Sequence, residues 1–289
     1  MNHKKICYLI GAADFGFPKG MGFPDVPGPE DLVICADAGM IEAGKQTEAW
    51  RPDHLIGDFD SLEEAKPGAS EELFRRSAGD AERLDADGHT AETDKRPGEP
   101  DEDPSGTPSA DQDQRAHLHI LPPEKNLTDL QAAWRLGQSL GYRNFVMTGC
   151  FGGRRFDHSL GNLHLLLSMA REGGHVCACS KDLLVIPLLA GQTFDSERGI
   201  LSEEADDTEN REEEPVLFSA KLTGKNRYLS LVPAEGGAHG VTIRGLKYEI
   251  TDGEIPAGST LGISNEILAG KTFSIRTGSG SLWVLISEK

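Results

Sequence analysis

The chain has 289 residues, 37% of them hydrophobic and 26% charged, with a formal net charge of −18. That length suits two domains better than one small one, and the acidic balance excludes a nucleic-acid-binding surface. No run approaches the roughly 20 apolar residues that a membrane-spanning helix requires.

The charge is unevenly placed. Residues 77–115 hold 12 acidic and 4 basic residues, and residues 195–214 hold 10 and 2, so these stretches carry 16 of the 18 net charges. The first contains a single large apolar residue, Leu84, among Pro, Gly, Ser and Thr. Such a segment buries too little apolar surface to offset its ordering entropy and is expected to be a solvated, disordered insertion.

In chain order, "MNHKKICYLIGAAD" sets two lysines before an apolar run. At about eight residues the run is near the floor for a signal-peptide core, and it reads equally as a first strand. "LVICA" is a second buried strand, followed by a helix expected from Met40 to Trp50. "DHLIG" is a third strand, ending at paired aspartates, and "AHLHIL" resumes the series after the insertion. "NLTDLQAAWRLGQSLG" predicts a helix capped by Asn126 or Thr128 and stopped by Gly141. "NFVMTG", a buried helix over "DHSLGNLHLLLSMAREGG", and "HVCAC" complete a strand–helix alternation. The alternation predicts an α/β fold with a mostly parallel sheet. After Glu214 the pattern changes to short β-rich runs, "VLFSA", "YLSLVPA", "GVTIRGLKYEI", "GKTFSIRTG" and "SLWVLIS". These predict a small antiparallel β-sandwich. The expected division is an α/β domain over 1–182, a linker with an acidic run over 183–214, and the sandwich over 215–289.

The five cysteines, Cys7, Cys35, Cys150, Cys177 and Cys179, are odd in number and lie mostly in apolar surroundings. They read as reduced, buried thiols of a cytoplasmic protein. The C-x-C of Cys177 and Cys179 lacks a second Cys or His pair that would complete a metal site.

In open α/β sheets ligands bind beyond the carboxyl ends of the strands. Four polar clusters fall there: "ADAG", "GDFDS", "EKNLTDL" and "GCFGGRRFDHS". They place Asp37, Asp58, Asp60, Asp129 and Asp157 on one rim, with Lys125, Arg154 and Arg155 among them. If the chain leaves the third strand extended, Asp58 and Asp60 point to the same side, two like charges that call for a cation between them. Carboxylates with a few cations suit Mg²⁺ and a polyphosphate. Gly152 and Gly153 allow backbone to approach phosphate closely. His158 reads as a helix-start residue or phosphate neighbour rather than a general base.

"GDFDS", "EKNLTDL" and "GGRRFDH", in that order, resemble the thiamine pyrophosphokinase (thiamine diphosphokinase) family, as do "YLSLVPAEGGAHGVTIRGLKYEI" and "GISNE" near the C-terminus. The resemblance implies transfer of the pyrophosphoryl group of ATP to the hydroxyethyl oxygen of thiamine, with release of AMP. It implies an α/β nucleotide domain followed by a β-sandwich, as a homodimer. By matching positions, Asp58, Asp60 and Asp129 would hold or orient Mg²⁺, and Asp37 and Asp157 would complete the rim. Arg155 or Arg154 would contact the transferring phosphates, with Lys125, Thr128, Gly152, Gly153 and His158 around the nucleotide. Ser264 and Asn265 would bind thiamine. The sequence departs from the family pattern at Asn126, where an acidic residue is usual, and at Ala38, where glycine is usual. Rival readings are a pyrophosphokinase acting on a hydroxymethyl-pterin, a nucleotide-sugar glycosyltransferase using "DFD" as its metal motif, and a non-catalytic nucleotide-binding regulator. None involves nucleic acid or a membrane.

Overall fold

The computed structural model describes residues 5–76, 81–90, 116–202 and 227–289. The apolar runs read from the sequence become the centre of one large sheet. Its parallel part comprises β1 (Ile6–Ile10), β2 (Leu32–Ala36), β3 (His54–Gly57), β4 (Ala81–Arg83), β5 (His117–Ile120), β6 (Asn144–Thr148) and β7 (His175–Cys179). These strands lie in the order β7-β6-β1-β2-β3-β5-β4. The chain moves outward from β1 through β2 and β3 to β5, then returns to the other side of β1 as β6. That reversal between β1 and β6 is the topological switch point near which open α/β sheets bind ligands.

Both faces are covered, as near-continuous apolar strands require. Ile6, Tyr8, Ile10, Val33 and Cys35 belong to one buried cluster; Cys7, Leu9, Ile34 and Ala36 belong to the other. The second cluster is closed by Trp134 of α4 (Asp129–Ser139) and by Leu166 and Met169 of α5 (Phe156–Arg171). On the first face, residues 11–31 form no helix. Phe15 and Phe17 of that crossover pack on Trp50 instead, with ring centroids 5.2 and 5.1 Å apart.

Helix α4 starts where the sequence indicates: the Thr128 hydroxyl accepts from Gln131 N–H at 3.2 Å, satisfying one orphan donor of the first turn. The helix expected from Met40 to Trp50 is instead α1 (Gly39–Gly44) and a separate 3₁₀ turn, Glu48–Trp50. Thr47, extended at ψ 161°, separates them. Between β3 and β4 lie α2 (Asp60–Ala65) and α3 (Ala69–Arg76).

Part of the acidic insertion is ordered, contrary to the expectation for residues 77–115. β4 pairs with β5 in parallel, and Leu84 N–H donates to Ile120 C=O at 2.9 Å. Leu84, the insertion's lone large apolar residue, is buried in the α4-side cluster. One side chain seated against an existing core, with main-chain pairing, is enough to order this short stretch. Residues 77–80 and 91–115 lie outside the described residues.

The sheet does not end at β7. Residues expected as a linker form β8 (Leu183–Leu188), β9 (Gln192–Asp195) and β10 (Gly199–Ser202). β8 pairs antiparallel with β7 and with β16 (Leu282–Glu288); β16 pairs with β11 (Arg227–Pro233), and β11 with β14 (Asn265–Glu266). A separate antiparallel sheet has the order β10-β9-β15-β12-β13, with β12 at Gly237–Arg244, β13 at Ile250–Pro256 and β15 at Ser274–Arg276. Leu184, Ile186, Leu229, Val284 and Ile286 from the large sheet share a core with Phe194, Val241, Ile243, Ile255 and Ile275 from the small one. The β-sandwich is therefore built by folding a second sheet over the antiparallel flank of the first. The expected strand "VLFSA" and the acidic run over 203–214 lie outside the described residues.

Candidate active site

The carboxyl ends of β1 and β6 approach so closely that their exit loops admit only glycine. A Cβ on Gly11 would stand 2.5 Å from Gly149 O, and one on Gly149 would stand 2.3 Å from Gly11 O. Gly39 is equally constrained, since its Cβ would meet Ile10 O at 2.2 Å. Thr148 pins the β1 exit loop, donating to Gly16 O at 3.0 Å and accepting from Gly16 N–H at 3.1 Å. Sequence reading passed over Gly11 and Gly39; a glycine directly after a strand is the signal that would have found the first.

On the other side of β1 the acidic rim assembles. Asp37 follows β2 in a left-handed conformation, φ 47°, and its carboxylate accepts from Leu62 N–H at 3.2 Å. The neighbouring Ala38 is right-handed at φ −65°, so replacing a glycine here costs nothing sterically. Phe59 is also left-handed, φ 62°, and buried. The chain thus does not leave β3 extended between Asp58 and Asp60, as the sequence suggested. It turns sharply at Phe59, driving that ring into the core, and α2 begins at Asp60. The two carboxylates still converge, and Asp37 joins them: one oxygen from each of Asp37, Asp58 and Asp60 lies within 4.8 Å of the others.

Asp129 stands differently from the expectation that grouped it with Asp58 and Asp60. At the first turn of α4 it pairs with Lys125 at 2.8 Å, and Lys125 also reaches Asp58 at 2.6 Å. The lysine side chain is 11% exposed, so it is a largely covered bridge rather than a solvated loop residue. Burial pushes the Asp129 carboxyl up, Lys125 pulls it down and Asp58 pushes it up again, leaving it raised. Burial pulls the Lys125 ammonium down, but its bonds to Asp129 and Asp58 leave it raised. Gly57 makes this arrangement possible: a Cβ there would sit 3.2 Å from Asp37 Cβ and 3.3 Å from Asp129 Oδ1. A larger residue would force those two aspartates apart.

The loop after β6 carries the remaining candidates. Gly152 and Gly153 have φ 90° and 74°, and among the described residues no atom lies within 4 Å of a Cβ on either. Gly152 N–H is held by the Ser159 hydroxyl at 3.2 Å. Arg154, Arg155, Asp157 and His158 are all exposed at the start of α5. Asp157, expected to complete the acidic rim, is instead clasped by Arg155, Nε to Oδ1 at 3.0 Å and Nη2 to Oδ2 at 2.6 Å. That bidentate pair holds the Asp157 carboxyl down to about 2. Residues two apart around a helix start reach each other easily.

In the β-sandwich, Asn265 is buried and its amide grips the backbone of Tyr248: Oδ1 accepts from Tyr248 N–H at 3.0 Å and Nδ2 donates to Tyr248 C=O at 2.7 Å. It shapes the loop rather than offering its amide to solvent. Ser264 is exposed and left-handed, φ 61°, its N–H donating to the Ser230 hydroxyl at 3.0 Å. Tyr248, Leu261 and Ile263 beside it are exposed as well. The Asn126 amide donates to Asp87 Oδ1 of the insertion at 2.8 Å.

Fold and site together define a class: a parallel α/β sheet with convergent carboxylates at its carboxyl edge, continued into an antiparallel β-sandwich. Residues 216–282 match the family model described as thiamin pyrophosphokinase, vitamin B1 binding domain. The thiamine pyrophosphokinase of Bacillus subtilis is 30% identical over 164 residues, 56% of this chain and 64% of that protein, so the aligned region spans under two thirds of that relative. The solved Bacillus subtilis structure superposes with a TM-score of 0.62 at 21% identity, covering 99% of this chain and 100% of that one. The Candida albicans thiamin pyrophosphokinase gives 0.58 at 13% identity over 99% and 90%. The chain is thus similar to thiamine pyrophosphokinases in part of its sequence and in its fold.

Proposed function

We propose that the chain transfers the pyrophosphoryl group of ATP to the hydroxyethyl oxygen of thiamine, giving thiamine diphosphate and AMP. The observation that carries this reading is the convergence of Asp37, Asp58 and Asp60 in a chain whose residues 216–282 match the vitamin B1 binding domain.

The donor set fits Mg²⁺: three carboxylates, oxygen only, converging at a strand edge, with Asp60 exposed to solvent. Asp37, Asp58 and Asp60 would hold the ion, which when bound supplies neutralisation of the polyphosphate and of the charge moving to the leaving AMP. The chain's own groups do the remaining work, largely positioning and charge compensation. Lys125 orients Asp58 and balances the rim. Gly152 and Gly153, free of neighbours, let backbone lie against phosphate. Arg154 and Arg155 present guanidinium groups from the same loop, with Arg155 already oriented by Asp157. Asp129 holds a proton more tightly than an ordinary aspartate, which suits it to take the hydroxyl proton.

Thiamine would lie against the loop bearing Ser264, which Asn265 shapes through Tyr248. Replacing Asn265 by alanine should raise the thiamine KM about tenfold through loss of buried hydrogen bonds, while the KM for Mg-ATP stays unchanged. Steady-state rates with each substrate varied in turn check this. Phe156 and Leu160, exposed at the start of α5, offer apolar surface for the homodimer contact. The five free, buried thiols suit a reducing cytoplasm.

The deciding experiment measures AMP from Mg-ATP with and without thiamine. Thiamine-dependent AMP and thiamine diphosphate are expected. AMP that responds to a hydroxymethyl-pterin but not to thiamine would replace the acceptor. ATP binding without turnover on any alcohol would make the chain a binding protein.

A further inference from the structure

A second group of ligating side chains stands at the opposite, amino end of the sheet. His54 opens β3, His117 opens β5, and His119 lies two residues further on. His54 pairs with His117 and Ile56 with His119, so strand alternation puts all three imidazoles on one face. Glu82 of β4 pairs with His119 and adds a carboxylate to that face. His54 Nδ1 is 2.9 Å from His119 Nε2, and His119 Nδ1 is 3.1 Å from Glu82 Oε2. The His54 and His117 rings stack with centroids 5.1 Å apart. His119 is buried, His54 half-buried and His117 exposed, so the cluster opens to solvent on one side.

We propose that His54, His117 and His119 bind a borderline divalent transition ion, Zn²⁺ foremost, with Glu82 as the positioning residue. Glu82 Oε2 stands 3.1 Å from His119 Nδ1, outside hydrogen-bonding geometry; on a small rotation it would accept from Nδ1–H and leave Nε2 with a free lone pair towards His54. That is the carboxylate–histidine relay that orients metal-binding imidazoles. In the absence of metal His54 Nδ1–H donates to that lone pair. On binding, His54 takes its other tautomer, with the hydrogen on Nε2, and both facing nitrogens become ligands. Zn–N bonds of about 2.0–2.1 Å at a tetrahedral angle place two nitrogens about 3.3 Å apart. The pair therefore opens by only about 0.4 Å. His117 turns from its stack to supply the third nitrogen, and water completes the shell. Burial, then His119 and His117, pull His54 down to about 4, and burial likewise lowers His119. Both rings are thus neutral at physiological pH, the form a metal binds. Occupancy would fasten β3 to β5 and, through Glu82, to the edge strand β4. The ion is chemically distinct from the oxygen-ligated one at the acidic rim, and this inference stands apart from the proposed activity.

The test is calorimetric titration of tag-free, chelator-stripped full chain with Zn²⁺, paired with Co²⁺ absorption spectra. One ion per chain is expected, with tetrahedral Co²⁺ bands in the visible and no thiolate charge-transfer in the near-ultraviolet. His117→Ala should weaken binding at least tenfold, and Glu82→Gln by about 10–100-fold, the usual cost of losing an orienting carboxylate. His54→Ala should abolish binding, while Asp58→Ala leaves stoichiometry and affinity unchanged. The exposed His117 and half-buried His54 are chosen over buried His119 so that the variants fold, which far-ultraviolet circular dichroism verifies. Absence of binding by the wild type, equal affinity in His117→Ala and His54→Ala, or loss in Asp58→Ala would each overturn the proposal.

Discussion

Asp58→Ala is expected to cut thiamine-dependent AMP formation by about 10³-fold, the scale of removing one preorganised electrostatic contact from a reacting centre, while the melting temperature holds or rises. The two halves have one cause. Asp58 is one of three carboxylates converging within 4.8 Å and also one of the two that share Lys125. Like charges held close destabilise the fold when no cation lies between them. Removing one leaves Lys125 paired with Asp129 alone, a balanced, partly buried pair. Activity and stability should therefore move apart, the signature of a group placed for function at a cost to the fold. Asp53 is the control: its carboxylate accepts from Val33 N–H at 2.8 Å, a tie at the amino end of β2. Asp53→Ala should lower the melting temperature and leave the turnover rate alone. Initial rates at saturating substrates, with thermal melts at pH 7, decide the matter. A rate loss under tenfold would remove Asp58 from the site. A parallel fall in both quantities would make it a structural residue.

What the sequence made legible follows from how local the signals are. Buried parallel strands read as apolar runs whatever their neighbours, so β1, β2, β3, β6 and β7 were all visible, as was the cap at Thr128. The carboxyl-edge clusters were visible for the same reason: each sits where a run ends. Long-range geometry was not. That Phe59 turns left-handed and still brings Asp58 beside Asp60 depends on the core pocket that takes its ring. That Lys125 bridges Asp58 and Asp129 depends on the spacing between β3 and α4. Asp37 looked like an accessory of the rim, because nothing in "ADAG" announces that Gly57 leaves room for it. The insertion misled because composition averages over a segment: one leucine in a polar stretch counts for little until a core is there to receive it. The linker reading of residues 183–214 failed at β8–β10, since charge over 195–214 masked apolar alternation before it. "LLVIPL" is as strand-like as "HVCAC".

Lys125→Met should destabilise the fold by about 2 kcal/mol at pH 7, between the cost for an exposed and a fully buried pair, because removing the cation of a partly buried ion pair leaves its counter-charges uncompensated. Methionine keeps the apolar stem, so what is lost is the ammonium bonded to Asp58 at 2.6 Å and Asp129 at 2.8 Å. The pH dependence fixes the cause. Burial already raises the folded-state pKa of Asp129, and Lys125 is the group that opposes it; without the lysine it rises further. A carboxyl raised above its unfolded value binds more protons folded than unfolded, so its contribution favours the fold at low pH and is lost as pH climbs through the folded pKa. The variant's deficit should therefore be largest at pH 7 and shrink as pH falls through the raised Asp129 value towards the ordinary carboxyl range. Urea unfolding of both proteins at pH 7 and at mildly acidic pH reads this directly. An equal deficit at both would assign Lys125 a packing role. If the rim holds Mg²⁺ as proposed, the ion should also restore part of the lost stability at pH 7, since a divalent cation shared by Asp37, Asp58 and Asp60 neutralises the same excess charge that the lysine does. The same addition should do little for Asp58→Ala, which has surrendered one of the three ligands.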